Sequence, residues 1–249
     1  MTEWHDEFFK GLYTKVLANQ FDSAHSAEEA GLVKRLLKLR KGAHVLDVPC
    51  GMGRLTIPLA RKGLTMTGVD LREKYLKRAR NLARQEGLEV TFLQGDMRKI
   101  DFCSAFNGVF NWFGSFGYFS DAENLDLCRR MRQALKPGGR LLIEGMNKSW
   151  LLRYLRPQIH QVIGGVSIDT RSCFNHTTQR LHTTWTFRRG AVKERHRVSI
   201  RVYNGTEMRA LLRAAGFREI ELLGNQPLGR FTRHSPRLLA IARRSTRRE

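Results

Sequence analysis

The chain has 249 residues, a formal net charge of +21 and a hydrophobic fraction of 41%. This length is sufficient for one sizeable hydrophobic core, and no change in composition marks a second independent domain. No run of about eighteen apolar residues occurs, so the sequence excludes an ordinary membrane-spanning helix, and we expect no membrane partner.

The net charge by itself suggests a polyanionic partner such as RNA or DNA. Its distribution supports a second explanation, because basic residues recur in helix-like segments from Lys34 to the tail 243–249. A protein whose solvated faces are rich in arginine has the same pattern. We favour this second explanation and keep a nucleic acid as the alternative partner.

The cysteines indicate the redox environment. Cys50, Cys103, Cys128 and Cys173 lie far apart, and no C-x-x-C pair occurs. This spacing predicts neither a disulfide framework nor a metal site, and it is typical of a reduced protein. The N-terminal segment carries acids and bases throughout and lacks the pattern of a signal peptide, so we expect a cytoplasmic location.

Residues 43–145 alternate short apolar runs with amphipathic segments, which is typical of strand–helix units on a parallel sheet. Ser26 and Glu29 have the spacing of a capping box and predict a helix before the first strand. The helix before the fifth strand is predicted to stop at residues 137–139, which read Pro-Gly-Gly. The predicted strands span residues 43–48, 65–70, 89–95, 105–112 and 140–146.

The pattern changes after residue 146. Residues 147–203 contain three long segments rich in Thr, Val, Ile and aromatic side chains, divided by turns, and they predict an inserted antiparallel meander. A helix with Thr206 as its N-cap follows. Two further strands are predicted, at 218–224 and 236–243.

The stretch "HVLDVPCGMGRLTIPLA", residues 44–60, joins the first predicted strand to a helix through a glycine-rich turn. Such a turn lets the backbone approach a ligand closely and presents unpaired N–H groups at the helix start. The dinucleotide fingerprint G-x-G-x-x-G is incomplete, because no glycine stands three residues after Gly53. Asp47, four residues before Gly51, would repel a pyrophosphate but can accept hydrogen bonds from an ammonium group.

Polar residues follow the next three predicted strands. Asp70 ends the second strand, where an acid at the carboxyl edge can bind both hydroxyls of a ribose. Asp96 and the backbone of Met97 follow the third strand, and Asn111 and Ser115 follow the fourth. For any one acid, a helix N-cap or a solvated carboxylate is the commoner explanation. Their succession on neighbouring strands favours one shared ligand site.

These motifs resemble the class I S-adenosylmethionine-dependent methyltransferases. The resemblance implies an α/β fold with a doubly wound, seven-stranded, mostly parallel Rossmann-like sheet, whose last strand is antiparallel, and with an antiparallel β insertion. It implies S-adenosyl-L-methionine as the cofactor. One departure is Pro49 and Cys50, where many members have glycine. The matching segments are "HVLDVPCGMGR", "GVDLREKYLKRAR", "FLQGDMRKIDF", "FNWFGSFGYF", "LKPGGRLLIEG" and "RVYNGTEMRALLRAAGF".

By this resemblance, the glycine turn holds the amino acid moiety of the cofactor, with its ammonium group near Asp47. Asp70 binds the ribose and Leu71 packs on the adenine. The residues after the third strand contact the adenine edge, and those that end the fourth strand lie beside the sulfonium. The implied cofactor-binding residues are Tyr13, Asp47, Cys50, Gly51, Gly53, Asp70, Leu71, Asp96, Met97, Asn111 and Trp112.

The resemblance is closer to a small-molecule branch with an aromatic-rich N-terminal helix and a β-meander. The segment "WHDEFFKGLY" is similar to the N-terminal lid of that branch, so Phe9 and Tyr13 would close over the cofactor. Hydrophobic packing of an amphipathic helix is the open alternative for these aromatic residues. The meander would cap the acceptor pocket. We therefore divide the chain into a cofactor-binding domain with its lid, residues 1–146 and 204–249, and a substrate cap, residues 147–203.

Methyl transfer from a sulfonium is an in-line displacement on an activated methyl group, so the protein mainly aligns the acceptor and excludes water. A base is needed only for an acceptor that arrives protonated or is a hydroxyl, and we identify no catalytic residue. Ion pairing, helix capping or a place in a surface turn are open alternatives for several acceptor-site candidates. The candidates are Tyr118, Glu144, His176, Arg201 and Tyr203.

The sequence predicts an enzyme that methylates a nitrogen or oxygen atom of a small molecule. The alternative is a methyltransferase that acts on RNA or DNA through a basic surface. Enzymes that methylate an exocyclic base amine usually carry Asn/Asp-Pro-Pro-aromatic after the fourth strand, whereas this chain has "NWFG" at 111–114. A separate recognition module is not evident either. The identity of the acceptor and the oligomeric state stay open.

Overall fold

The computed structural model describes residues 4–224 and 229–246, so the last residues of the basic tail lie outside the described ranges. The helices are α1 (Trp4–Phe8), α2 (Gly11–Asn19), α3 (Ser23–Leu36), α4 (Thr56–Arg61), α5 (Glu73–Gln85), α6 (Asp121–Ala134), α7 (Lys148–Tyr154) and α8 (Gly205–Ala214). Among these described residues, no helix is both long and apolar enough to cross a membrane.

The described strands form two separate sheets. They are β1 (His44–Asp47), β2 (Thr65–Asp70), β3 (Val90–Gln94), β4 (Phe106–Asn111), β5 (Leu135–Met146), β6 (Gln158–Ile163), β7 (Val166–Asn175), β8 (Arg180–Arg189), β9 (Val192–Arg201), β10 (Glu219–Leu223) and β11 (Arg237–Arg243).

The main sheet has seven strands in the order β10-β11-β5-β4-β1-β2-β3. The pairs within β5-β4-β1-β2-β3 are parallel, and β11 is antiparallel to both of its neighbours. Asp47, at the end of β1, lies opposite Gly68 of β2 and Phe110 of β4. The carboxyl ends of these three strands therefore lie together at one edge, and the predicted mostly parallel seven-stranded sheet is confirmed.

Side chains alternate between the two faces of the main sheet along each strand. Helices cover both faces and pack on these side chains. Leu141 and Ile143 of β5 pack into the cluster that contains Leu127 of α6 and Leu212 of α8. Leu142, between them, packs into the cluster that contains residues of α3. All of these side chains are fully or almost fully buried. The predicted doubly wound arrangement is confirmed.

Two predicted helix starts were wrong by a few residues. The N-cap of α3 is Asp22, whose Oδ1 accepts the N–H of His25 at 2.7 Å, and Ser26 lies inside the helix. The N-cap of α8 is Asn204, which forms a capping box with Glu207 in place of the predicted Thr206. In both cases the observed N-cap lies upstream of the predicted one, and its side-chain oxygen accepts a backbone N–H of the first turn of the helix.

The end of α6 also differs from the prediction. The helix ends at Ala134, and β5 begins at Leu135 instead of Arg140. Leu135 is fully buried and pairs with Phe106 of β4, although the pairing is irregular before Gly108. The Pro-Gly-Gly sequence therefore lies inside the first part of the strand and does not terminate the helix.

The inserted segment forms a four-stranded antiparallel sheet in the order β6-β7-β8-β9. The meander is confirmed for β7, β8 and β9, but β6 and helix α7 were not predicted. Residues 158–162 of β6 are exposed, so they lack the alternation of burial that marks a strand. The side chain of Asn147 starts α7 by accepting the N–H of Ser149 at 3.1 Å. The division of the chain into two domains stays a prediction.

Helices α1 and α2, here called the lid, pack on one face of the inserted sheet. Phe8, Leu12 and Val16 form one buried cluster with Phe187 and other apolar residues of that sheet. At the beginning of α2, the backbone N–H of Leu12 donates to the carboxylate of Glu194 in β9 at 2.9 Å. The inserted sheet therefore fixes both the apolar face of the lid and the start of its second helix.

Gly117, in the loop between β4 and α6, approaches the inserted sheet closely. Its carbonyl accepts the N–H of Arg201 at 2.8 Å, and a Cβ at Gly117 would collide with the carbonyl oxygen of Arg201. Gly114 also has a positive φ, but a Cβ there would meet nothing within 4 Å. Comparing the two positions separates backbone strain from the collision.

We expect Gly117→Ala to destabilise the protein more than Gly114→Ala. Both substitutions force a non-glycine residue into the left-handed region, at about 1–2 kcal/mol. Gly117→Ala must in addition displace the backbone of Arg201, at a further cost of about 1–3 kcal/mol. Urea unfolding of both variants measures the difference, and equal losses of stability would contradict the described contact.

Candidate functional site

A cavity of about 290 Å³ lies at the carboxyl ends of β1, β2 and β4, underneath the lid. Most of the predicted cofactor-binding residues are brought together in its wall, although they come from five segments of the chain. The predicted residues that line the cavity are Tyr13, Asp47, Cys50, Gly51, Asp70, Leu71, Asp96, Met97, Trp112 and Tyr118.

Asp47 presents a buried carboxyl group to this cavity. It is 3% exposed, and its Oδ2 accepts the hydroxyl of Thr56 at 2.6 Å. Burial raises the pKa of Asp47 to about 8, although the hydrogen bond from Thr56 and the charge of Arg54 both favour the ionised form. A cationic group beside Asp47 would lower this pKa, so the site favours a positively charged ligand.

The glycine turn is fastened to the end of β2 by Asp70. Its Oδ2 accepts the N–H of Gly51, and its Oδ1 accepts the N–H of Arg72, both at 2.8 Å. Burial raises the pKa of Asp70 against the opposing effect of these two hydrogen bonds. Each carboxylate oxygen retains a lone pair. Because a Cβ at Gly51 would meet nothing within 4 Å, the turn faces open space.

Gly53 supports the turn from behind and does not line the cavity. Its φ is +80°, and a Cβ there would lie 3.2 Å from Ala79 Cβ and from Ile57 Cδ1. Cys50 does line the cavity, and its Sγ would lie 2.8 Å from a Cβ at Gly68. Both glycines therefore permit close packing of the turn on its neighbours, and burial holds the pKa of the Cys50 thiol well above its usual value.

Asp96 lies at the cavity wall in an ion pair. Its carboxylate accepts the backbone N–H of Arg98 at 2.8 Å and the guanidinium of Arg98 at 2.7 Å. Burial opposes ionisation, but these bonds hold the pKa of Asp96 below its ordinary value. Arg98 also pairs with Glu123 at 3.0 Å and lies over the ring of Phe119. The carboxylate is therefore ionised and fixed in orientation.

Asn111 and Trp112 follow one another but have different surroundings. Trp112 lines the cavity, and the guanidinium of Arg237 lies 5.1 Å from its ring centre. Asn111 is fully buried, and its Nδ2 donates to the carbonyl of Val48 at 2.8 Å. The side chain of Asn111 is not among those lining the cavity; it supports the chain at the start of the glycine turn.

Aromatic residues close the cavity on the side of the lid. Tyr13 and Phe9 lie 5.5 Å apart between ring centres, and Tyr118 lies 6.0 Å from Phe9. Burial raises the pKa of Tyr118 to about 12, so its hydroxyl is protonated at neutral pH. The hydroxyl of Tyr75, in α5, donates to the carbonyl of Phe9 at 2.8 Å and ties the lid to that helix.

Four predicted acceptor-site residues do not line this cavity, and Tyr118 is the one that does. Glu144 accepts the N–H of Gly114 and pairs with Arg237, each at 3.0 Å. His176 lies in an exposed turn of the inserted sheet. Arg201 and Tyr203 stack on each other beside the start of α6, where Arg201 also forms an ion pair. Glu144, Arg201 and Tyr203 therefore have structural partners away from the cavity, and His176 lies apart from it.

The sequence does not predict a buried ion-pair network behind the site. Glu29, 4% exposed, accepts Arg54 at 2.7 Å and Arg237 at 3.2 Å. Burial opposes ionisation, but the two arginines hold the pKa of Glu29 below its usual value. Arg54 lies 4.3 Å from the ring centre of Phe21 and lines the cavity. The spacing that suggests a capping box at Glu29 carries no information about these distant partners.

Other cavity residues had no sequence signal that singled them out. His5, Phe21, Tyr75 and Phe113 line the wall, and they come from the lid, the segment before α3, α5 and the loop after β4. Each belongs to a segment whose aromatic residues are equally explained by packing. In the described part of the chain, no group of three or more His, Cys, Asp or Glu residues is arranged to hold a metal ion.

Sequence comparison relates this geometry to known proteins. A family model described as a methyltransferase domain matches residues 45–139, from β1 to the beginning of β5. A putative methyltransferase of Geobacillus sp. (strain WCH70) is 31% identical over 141 residues, which are 55% of this chain and 56% of that protein. The chain spans about half the length of the curated relatives it matches.

Two solved structures are similar over almost the whole chain. An S-adenosylmethionine-dependent methyltransferase from Clostridium acetobutylicum superposes with a TM-score of 0.78 at 17% identity, covering 94% of this chain and 96% of that one. An amino pentose methyltransferase from Micromonospora echinaspora, solved with S-adenosylmethionine bound, gives a TM-score of 0.69 at 21% identity, covering 95% and 98%. At these identities the likeness establishes the fold.

The raised pKa of Asp47 predicts a pH-dependent loss of stability. Its pKa is 3.8 in an exposed carboxyl and about 8 here, so the folded protein holds this proton more tightly than the unfolded chain. The stabilising effect of the protonated group is fully present below pH 3.8 and is lost as the pH rises through about 8. Asp47→Asn removes this loss because the amide is neutral throughout.

We therefore expect the stability of the Asp47→Asn variant, relative to wild type, to increase from about pH 5 to pH 8, by at most about 1.4 kcal/mol per pH unit. Urea unfolding at several pH values measures it. Asp101→Asn, which removes an exposed carboxylate, is measured beside it as the control. A flat difference for Asp47→Asn would contradict the raised pKa.

Proposed function

We propose that this chain is a class I S-adenosylmethionine-dependent methyltransferase that transfers a methyl group from that cofactor to a nitrogen or oxygen atom of a small molecule, a proposal supported by the match of residues 45–139 to a methyltransferase domain and by the fold. The observation that carries this proposal is the convergence of Asp47, Gly51 and Asp70 in one wall of a roofed cavity. The donors and acceptors present there match the chemistry of the cofactor.

The cofactor carries an ammonium group, a ribose with two neighbouring hydroxyls and an adenine. Asp47 provides a carboxyl group that ionises beside a cation, and the open space at Gly51 admits the methionine moiety. Asp70 has one lone pair left on each oxygen, and both oxygens are oriented by backbone N–H groups. These residues fit the group, and each would hold one part of it.

The remaining wall residues would complete the binding. Leu71 would pack on the adenine, and Asp96 with the backbone of Met97 would bind the polar edge of that base. Tyr13 and Trp112 would enclose the reacting end. Asn111 would act through its bond to Val48, as a positioning residue for the glycine turn.

When bound, S-adenosylmethionine supplies a methyl group on a positively charged sulfur, which is electrophilic without further activation. The residues of this chain then have to orient the acceptor and exclude water. Phe9, Tyr118 and Trp112 do this by surrounding the cavity with aromatic surface. An acceptor amine that arrives neutral needs no base from the protein. We assign the role of catalytic residue to none of the side chains.

The size and position of the cavity support a small acceptor. The lid covers it, and the inserted sheet covers the lid, so a bulky polymer would have to displace both. The similar enzyme from Micromonospora echinaspora is described as an amino pentose methyltransferase, a small-molecule activity. The segment "NWFG", without the proline pair, argues in the same direction against methylation of a base amine.

Calorimetric titration with S-adenosylmethionine and S-adenosylhomocysteine tests cofactor binding. We expect stoichiometric binding by the wild type and a loss of at least about tenfold in affinity for Asp70→Ala, since a bidentate hydrogen-bonding group is worth more than about 1.4 kcal/mol. Asp101→Ala, at an exposed carboxylate, is the matched control and should bind as the wild type does. No binding by the folded wild type would refute the proposed function.

Variants of Tyr118 test the role of the aromatic wall, using an acceptor found by screening amines and alcohols with methyl-labelled cofactor. Tyr118→Ala opens the cavity to water, so we expect kcat to fall about tenfold or more while cofactor affinity changes little. Tyr118→Phe keeps the ring and should retain activity with an unchanged pH profile, because the hydroxyl is protonated at neutral pH. An inactive Tyr118→Phe would instead assign chemistry to the hydroxyl.

A further inference from the structure

The inserted sheet has two faces of different character. Residues that point toward the lid include the buried Ile168, Phe187 and Val198. The opposite face, here called the outer face, carries the intervening residues of each strand, away from the strand ends that pack on the loop at Gly117. From the strand pairing, its members on β6 to β9 are Gln158, His160, Val162, Ser167, Asp169, Arg171, Cys173, His182, Thr184, Thr186, Arg188, Lys193, Arg195, Arg197 and Ser199.

The outer face has an excess of positive charge. Its single carboxylate among the described residues is Asp169, which is already paired with His160 at 2.8 Å and with Arg188. The side chains of the remaining cations are exposed and form no hydrogen bond or ion pair with any described residue. These unpaired cations are Arg171, Lys193, Arg195 and Arg197.

The four unpaired cations lie close together. Lys193, Arg195 and Arg197 alternate along β9, so they span about 14 Å at about 3.4 Å per residue. Arg171 lies two strands away, on β7, and Thr184 of β8 stands between it and Arg197. The patch is thus roughly 10 Å wide. Duplex DNA carries one negative charge per about 1.7 Å of its axis, so several phosphates can lie against such a patch.

The other side chains of the outer face indicate which polyanion fits it. Contacts with the nucleic-acid backbone come mostly from Arg, Lys, Ser and Thr, and these residue types predominate here. Attachment to an anionic membrane needs apolar or aromatic anchors between the cations. Val162 is the one aliphatic side chain among the outer-face residues, and none of them is Phe, Tyr or Trp.

We propose that the outer face of the inserted sheet binds the sugar–phosphate backbone of a nucleic acid without reading its sequence. The face is on the side of the sheet opposite to the lid, so the bound polymer would not reach the cavity through it. The surface therefore acts as a tether that places the protein on nucleic acid, separately from methyl transfer. It does not depend on the proposed activity.

Fluorescence anisotropy with labelled duplexes of RNA and of DNA, at salt concentrations from about 50 to 200 mM, tests this surface. The test variant combines Arg171→Gln, Arg195→Gln and Arg197→Gln. We expect the wild type to bind with a steep salt dependence. On the DNA duplex, loss of three phosphate contacts should reduce the slope of the logarithm of the binding constant against the logarithm of the salt concentration by about 2.7, and it should weaken binding at the higher salt by about tenfold or more.

The matched control combines Arg84→Gln, Arg129→Gln and Arg218→Gln, which remove the same charge from exposed positions outside the inserted sheet. It should bind the duplexes nearly as the wild type does. If the first triple variant unfolds, the single variants Arg197→Gln and Arg129→Gln replace the pair, with an expected slope change of about 0.9 for Arg197→Gln only.

Three results would overturn the proposal. They are equal weakening by both triple variants, no duplex binding by the wild type at low salt, and binding to phosphatidylserine vesicles in place of either duplex. Tighter binding of one duplex would support the proposal and identify whether RNA or DNA is the source of the phosphates. Cofactor titration of the same samples reports on the methyltransferase site independently, because none of the substituted residues lines the cavity.

Discussion

The carboxylate of Asp70 connects the parts of the site to one another. Through two backbone N–H bonds it fixes the glycine turn at Gly51 and the start of the segment at Arg72. The side chain of Arg72 in turn donates to the carbonyl of His5 in the lid at 2.7 Å. Asp70 therefore fixes the glycine turn in the cavity wall and orients Arg72, which binds the lid that covers the cavity. A parallel sheet makes this arrangement available, because the carboxyl ends of adjacent strands lie at one edge.

The sequence predicts this edge well because its determinants are local. Strand–helix alternation places Asp47 and Asp70 at the ends of neighbouring buried strands, and the glycine turn between them has a recognisable composition. The errors arose where two local rules compete, as with Asp22 and Ser26 for the start of one helix. Spacing alone does not rank the two caps. The hydrogen-bond geometry, which places the first turn over Asp22, decides between them.

The acceptor-site candidates that lie away from the cavity show a different physical limit on prediction. These candidates are polar residues at strand ends, and such groups are also needed to neutralise buried charges from distant parts of the chain. Glu144 pairs with Arg237, which lies 93 residues further along, and Glu29 pairs with the same arginine across 208 residues. Sequence spacing contains no trace of these contacts. The cavity is shaped by packing of aromatic side chains, which composition does not reveal.

In the inserted sheet, the alternation of side chains along each strand determines both the side that faces the lid and the outer face. In β8 and β9, residues that face the lid include Phe187 and Val198. The residues that alternate with them along each strand, on the outer face, include Arg188 and Arg197. A shift of one residue in the register would expose the apolar set and bury the cations, so burial against the lid fixes the register strongly. The same constraint fixes the spacing of the cations on the outer face. The lid that closes the cavity thereby also determines where the positive charge of the sheet is presented.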